Sequence, residues 1–131
     1  MTALSLATRA KLPTGITRPA YDVSSVEVGI LHLGLGAFHR AHQAICVDTM
    51  LRSDPRWGIS GVSLKTPRAA RLLAPQAGLY TVLEKTAGGT AARVIGAVRE
   101  LLLLGTARAQ LIMRVSLPAV TIGSLQAPDN A

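Results

Sequence analysis

The chain of 131 residues has the size of one domain, and 49% hydrophobic residues against 16% charged ones exclude a disordered polymer, which lacks aliphatics to bury. The net charge of +7, from 14 Lys and Arg against 7 Asp and Glu, favours an anionic ligand; the basic residues are scattered singly and the few aromatics do not interleave with them, so the stripe or stacking platform of a nucleic-acid binder is missing. No apolar run reaches the roughly 18 residues of a membrane span, no secretory signal opens the chain, and Cys46 is the sole cysteine, which together predict a cytoplasmic protein with Cys46 as a small buried hydrophobe.

Residues 1–25 carry Pro13, Gly15, Pro19 and the pair Ser24 and Ser25, and read as a poorly ordered leader crossing the surface. The run VEVGILHL at 26–33 is β-branched and aliphatic, of strand length, and apolar enough to be buried in a sheet. From 37 to 52 the period changes. Ala37, Ala41, Ala44, Val47 and Leu51 recur every three or four residues, with Arg40, Gln43, Asp48 and Arg52 on other faces, which predicts one helix with a small-residue face. SDPRW at 53–57 is a turn supported by Asp54. GISGVSL at 58–64 is a second strand, and strand, helix, strand at these lengths is one βαβ unit with parallel pairing.

The segment KTPRAARLLAPQAG reads as a loop and a short helix that ends near Pro75 and Gly78. LYTVLEK and ARVIGAVREL flank TAGGTA and predict an antiparallel hairpin. LLLLGTARAQLIMR at 101–114 is expected to be helical, weakened by Gly105, and PAVTIGSL at 118–125 is one more buried strand, after which its covering helix is missing. The whole is an α/β layer structure.

The chemistry concentrates in GLGAFHRAHQ at 34–43. In a strand-to-helix turn of the form G-x-G, the first glycine permits backbone angles closed to other residues, and the second lets a diphosphate reach the main chain. The helix start that follows adds free N–H groups and partial positive charge. Gly34 and Gly36 fill those places, while the third glycine of G-x-G-x-x-G is replaced by His39. The carboxylate that would accept ribose hydroxyls at the end of the second strand is replaced by Lys65, Thr66 and Arg68, which leaves NADP open beside NAD. Arg40 is placed to meet a phosphate or a substrate carboxylate, and Phe38 to pack against a nicotinamide or fill core. His39 and His42, three apart on a helix, would put one ring in solvent and one toward the ligand; with no carboxylate partner they predict no metal site.

HLGLGAFHRAHQA, WGISGVSLKTPRAARLLAPQAGLYTVLEK, RVIGAVREL and LPAVTIGSL resemble the N-terminal domain of the mannitol dehydrogenase family, which includes fructuronate and tagaturonate reductases. The resemblance implies an incomplete Rossmann-like dinucleotide-binding domain over 26–131, with a βαβ start and an inserted hairpin, and NAD contacts at Gly34, Gly36, Ala37 and Phe38 with Arg40 nearby; Leu35 of the turn and Lys65 after the second strand complete the expected cofactor-binding set. In that family the third glycine is habitually absent. Its catalytic lysine lies in a C-terminal domain that nothing in this sequence matches, so no catalytic residue is assigned. The implied function is the cofactor-binding part of an NAD-dependent oxidoreductase on sugar alcohols or hexuronates, truncated and inactive alone. A non-catalytic nucleotide-binding module and a poorly folding remnant are the alternatives.

Overall fold

The computed structural model describes residues 4–106 and 108–126; residues 1–3, 107 and 127–131, among them the start of the expected leader and the end of the expected domain, lie outside the described residues. In chain order the elements are β1 (Ile16–Thr17), β2 (Val28–Leu33), α1 (Ala37–Ala41), α2 (Gln43–Met50), β3 (Gly58–Ser63), α3 (Arg68–Leu73), β4 (Tyr80–Thr86), β5 (Gly89–Ile95), β6 (Val98–Leu103), α4 (Arg108–Ser116) and β7 (Ile122–Leu125).

Four strands form a parallel sheet in the order β6-β3-β2-β7, and β1-β5-β4 form a separate three-stranded sheet. The first βαβ unit is as expected, β2 pairing in parallel with β3. All six residues of β3 are buried because this strand lies between two others with both faces covered, the setting in which strands are continuously apolar or small. Successive side chains go to opposite faces. Ile30, Ile59 and Val98 join Ala44, Val47 and Leu51 of the α2 side and Leu73 of α3, whereas Leu31, Val62 and Leu102 meet Leu111 of α4 and Val120. Full burial of a side chain such as Ile59 or Leu51 contributes about 1.5–3 kcal/mol. Glu100 of β6 accepts from Ser60 at 2.8 Å and pairs with Arg114, which ties α4 to its face of the sheet.

Two expectations about elements are corrected. The run ARVIGAVREL is not one hairpin strand: β5 pairs antiparallel with β4 as expected, then the chain breaks at Gly96 and Ala97, and β6 leaves to join the parallel sheet. Consequently Leu101, Leu102 and Leu103 are strand, not helix, and the helix starts only at Arg108. A short apolar run carries no period that separates a buried strand from a buried helix.

The expected helix over 37–52 is two helices broken at His42, whose φ of −127° and ψ of −78° are not helical. The carbonyls explain the break. Phe38 O accepts from the His42 ring at 2.9 Å and Arg40 O from the Tyr80 hydroxyl at 2.7 Å, so acceptors of the helical ladder are engaged by side chains. The break changes the phase of the helix: Ala44, Val47 and Leu51 are buried, but Ala37 and Ala41 are exposed. Cys46, expected inside, is exposed.

Asp48, expected on an outer face, is 2% exposed. It accepts from the Tyr21 hydroxyl, from Gly96 N at 2.9 Å and from Arg93 Nη2 at 2.8 Å. Burial and the neighbouring Asp48 carboxylate both push the Tyr21 phenol far above its usual pKa, so it stays a donor. One carboxylate thereby joins α2 to residue 21, to β5 and to the Gly96 bend. Residues 4–25, expected as a leader, lie against the hairpin: β1 pairs in parallel with β5, and Leu4, Leu12 and Ile16 pack around buried Val23, Leu79 and Val94.

Candidate functional site

Both neighbours of β2, β3 and β7, run parallel to it, and the strand order reverses there. The chain moves outward through β3 to β6, then returns to place β7 on the other edge. Crevices at the carboxyl ends of strands where the order reverses are the binding sites of open α/β sheets. The glycine turn leaves β2 at that point.

Gly34 has φ +95°, a conformation that a side chain strains. A Cβ on it would also stand 2.2 Å from the carbonyl oxygen of Gln126, the residue that leaves β7. Its N–H and that of Leu35 both donate to Val62 O, at 2.8 and 3.2 Å. The Leu35 side chain is buried over Gly61, where a Cβ would come within 2.6 Å of it. Thus the first glycine and the leucine lock the turn onto β3.

Gly36 differs. Its φ of −116° is open to any residue, and a Cβ there would meet nothing closer than 3.9 Å. Among the described residues the N–H groups of Gly36, Ala37, Phe38 and His39 have no acceptor. Open space above a glycine beside unbonded amides is a cradle for an anion. Helix α1 is only five residues long, so its dipole is small, and the attraction comes from individual amides and nearby cations rather than from a long helix.

A cleft of about 600 Å³ covers this cradle, and Gly34, Leu35, Gly36, Ala37, Phe38, Arg40 and Lys65 all line it. Every residue expected at the site is therefore brought to one place. Phe38 is 59% exposed and stacks on His42 with ring centroids 4.3 Å apart; it is not core. Arg40 reaches back to Gly36 O through Nε at 3.3 Å. Its carbonyl is held by Tyr80, whose phenol burial keeps protonated well beyond its ordinary range. Ser63, Thr66, Arg68 and Gln126 also line the cleft. Gln126 was missed because it directly follows β7, some ninety residues beyond the glycines; the strand expected over 118–125 was the available signal, but β7 covers only Ile122–Leu125 and is largely exposed, not buried as expected.

The histidine expectation is corrected in part. His42 is exposed, but His39 is fully buried and stacks on His32 of β2 at 3.6 Å, away from the cleft lining. His32 Nδ1 meets Ser124 Oγ at 2.7 Å, whereas both His39 nitrogens are buried without a partner. Burial, with His32 adding to it, pushes His39 down to about 4. An unfolded histidine takes up its proton near pH ~6.5, before the folded one does, so stability is lost as pH falls from there toward 4. The complete loss is on the order of 3 kcal/mol. Urea midpoints at pH 7 and pH 5 should therefore diverge in the native chain and much less in His39→Phe; parallel behaviour of the two would contradict a buried neutral imidazole.

A second cavity, of about 320 Å³, lies between α2 and the hairpin and is lined by Arg18, Asp48, Arg52 and Arg93 among others. Its Asp48 and Arg93 already satisfy each other, and it does not include the glycine turn.

Residues 28–128 match the family model described as the mannitol dehydrogenase Rossmann domain. The mannitol 2-dehydrogenase of Pyricularia oryzae is 38% identical over 92% of this chain and 25% of its own. The polyol:NADP oxidoreductase of Gluconobacter oxydans is 33% identical over 90% of this chain and 25% of its own. Among solved structures, the ternary complex of Pseudomonas fluorescens mannitol 2-dehydrogenase with NAD and D-mannitol superposes with a TM-score of 0.86 at 36% identity, covering 94% of this chain and 26% of that one. The chain thus spans about a quarter of the length of these relatives.

Proposed function

The chain belongs to the mannitol dehydrogenase family through its Rossmann domain, and from that premise we propose that it binds a nicotinamide dinucleotide in the cleft at the glycine turn, as the cofactor part of an oxidoreductase acting on sugar alcohols or hexuronates. The observation that carries the reading is the pairing at Gly36 of an open Cβ position with unbonded amides. The relatives supply the chemical class: one is named for NADP, and another was solved with NAD and D-mannitol.

In this reading the N–H groups of Gly36, Ala37 and Phe38 donate to the diphosphate, and Arg40 adds charge at the same lip. Gly34 and Leu35 act indirectly, holding the turn on β3. Phe38 offers an exposed ring to an aromatic face of the cofactor. A nicotinamide held there would supply hydride chemistry at a secondary alcohol or ketone carbon. Of the lysines, Lys65 lines the cleft and Lys85 stands exposed in the hairpin; neither has a general-base setting, so we infer that the isolated chain binds without turnover. No described helix is long and apolar enough to cross a membrane, and a cytoplasmic location belongs to the same proposal.

Titrating the purified chain into NADH or NADPH, with the nicotinamide fluorescence as readout, is expected to give a saturable signal, and no oxidation of mannitol or reduction of fructuronate above background. A flat titration with both dinucleotides would overturn the proposal.

A further inference from the structure

The cleft is lined by cations with no acidic side chain to balance them. Among the described residues that line it, Arg40, Lys65 and Arg68 are basic and none is acidic. The sequence deepens the asymmetry, since no Asp or Glu occurs between Gly34 and Val47, or between Pro55 and Leu83. The two acids in the interval are engaged: Asp48 is buried under Tyr21, Arg93 and Gly96, and Asp54 holds Arg56 and the Trp57 indole.

The position matters as much as the charge. In a dinucleotide fold the end of the second strand of the parallel sheet meets the adenosine ribose, where a carboxylate accepts from the 2′- and 3′-hydroxyls and a basic group instead accommodates a 2′-phosphate. That strand is β3, which ends at Ser63, and Lys65, Thr66 and Arg68 follow it into the cleft. Lys65 and Arg68 are exposed, and among the described residues neither takes part in an ion pair. A diol would find no acceptor of matching charge at this lip, whereas a phosphate dianion would find two cations and a hydroxyl.

Resting on the dinucleotide reading above, we propose that Lys65 and Arg68, with the Thr66 hydroxyl, form a 2′-phosphate site, and that this chain binds NADP(H) in preference to NAD(H). Gly36 and Arg40 serve the diphosphate common to both; the residues after β3 make the choice between them.

The experiment compares NADPH with NADH by fluorescence, and 2′,5′-ADP with 5′-AMP by calorimetry, on the purified chain. NADPH is expected to bind at least about tenfold more tightly at low salt, the ratio shrinking as salt screens the exposed pair. Lys65→Glu should remove or reverse the preference, and Arg68→Ala should reduce it, each lowering NADPH affinity by a larger factor than NADH affinity. 2′,5′-ADP should bind more tightly than 5′-AMP, and inorganic phosphate should compete only weakly. Saturable NADH binding that equals or exceeds NADPH binding would overturn the preference and leave the dinucleotide reading standing. Phosphate competing as well as 2′,5′-ADP would reduce the site to a general anion patch and overturn it too. Absence of binding by either dinucleotide would overturn both.

Discussion

Gly36→Val is expected to abolish dinucleotide binding and leave the fold standing. The backbone at Gly36 is extended and a Cβ meets no protein atom closer than 3.9 Å, so the substitution falls among surface changes that move stability by about 0.5 kcal/mol or less. The isopropyl group would instead occupy the space that a diphosphate needs to reach the amides of residues 36–38. Losing those contacts should weaken NADPH or NADH binding by well over tenfold, or more than about 1.4 kcal/mol, with an unfolding midpoint close to that of the native chain. Gly34→Val makes the contrast: its positive φ and the Gln126 carbonyl at 2.2 Å forbid a side chain, so that variant should lose stability first and binding as a result. Native affinity in a folded Gly36→Val protein would remove the site from the turn.

Asp48→Ala should cost more stability than any change at the cleft surface. Removing the carboxylate leaves the Tyr21 hydroxyl, the Gly96 N–H and the Arg93 guanidinium without their acceptor, and breaking a buried ion pair from one side costs about 3–5 kcal/mol. Against a total of about 5–15 kcal/mol for a typical domain, such a loss lowers the melting temperature by well over about 10 °C. Asp48→Asn keeps an acceptor for Tyr21 and Gly96 while removing the charge opposite Arg93, and should lie between. If the alanine variant melts within a few degrees of the native chain, Asp48 does not join α2 to the small sheet as described.

The parts of the fold set by local pattern were legible. β2, the glycine turn and β3 follow from an apolar run, two glycines and a second small-residue run, and the β4–β5 hairpin from its Gly-Gly pair. What was not legible depends on distant partners. The break at His42 needs Tyr80, forty residues on, to engage the Arg40 carbonyl. Asp48 looked like a surface residue because its three donors come from residues 21, 93 and 96. His39 is buried because His32 of the preceding strand stacks on it, whereas helical spacing alone put one of His39 and His42 in solvent and the other toward the ligand. The leucines at 101–103 carry no period, and only their pairing with β3 makes them strand. The site residues were read from the glycine motif and, for Lys65, from the end of the second strand, and all line one cleft; Gln126 escaped because its role depends on sheet order rather than on any local signature.

The contact between Gly34 and Gln126 has a consequence for biosynthesis. Gln126 N donates to Leu33 O at 2.9 Å while its carbonyl lies over Gly34, so the floor of the cleft is assembled from two stretches that leave the ribosome far apart in time. A nascent chain that has released the glycine turn and β3 still lacks one wall until β7 emerges and seats beside β2. If the proposed site is used, a dinucleotide retained by a stalled chain would report that β7 has already docked.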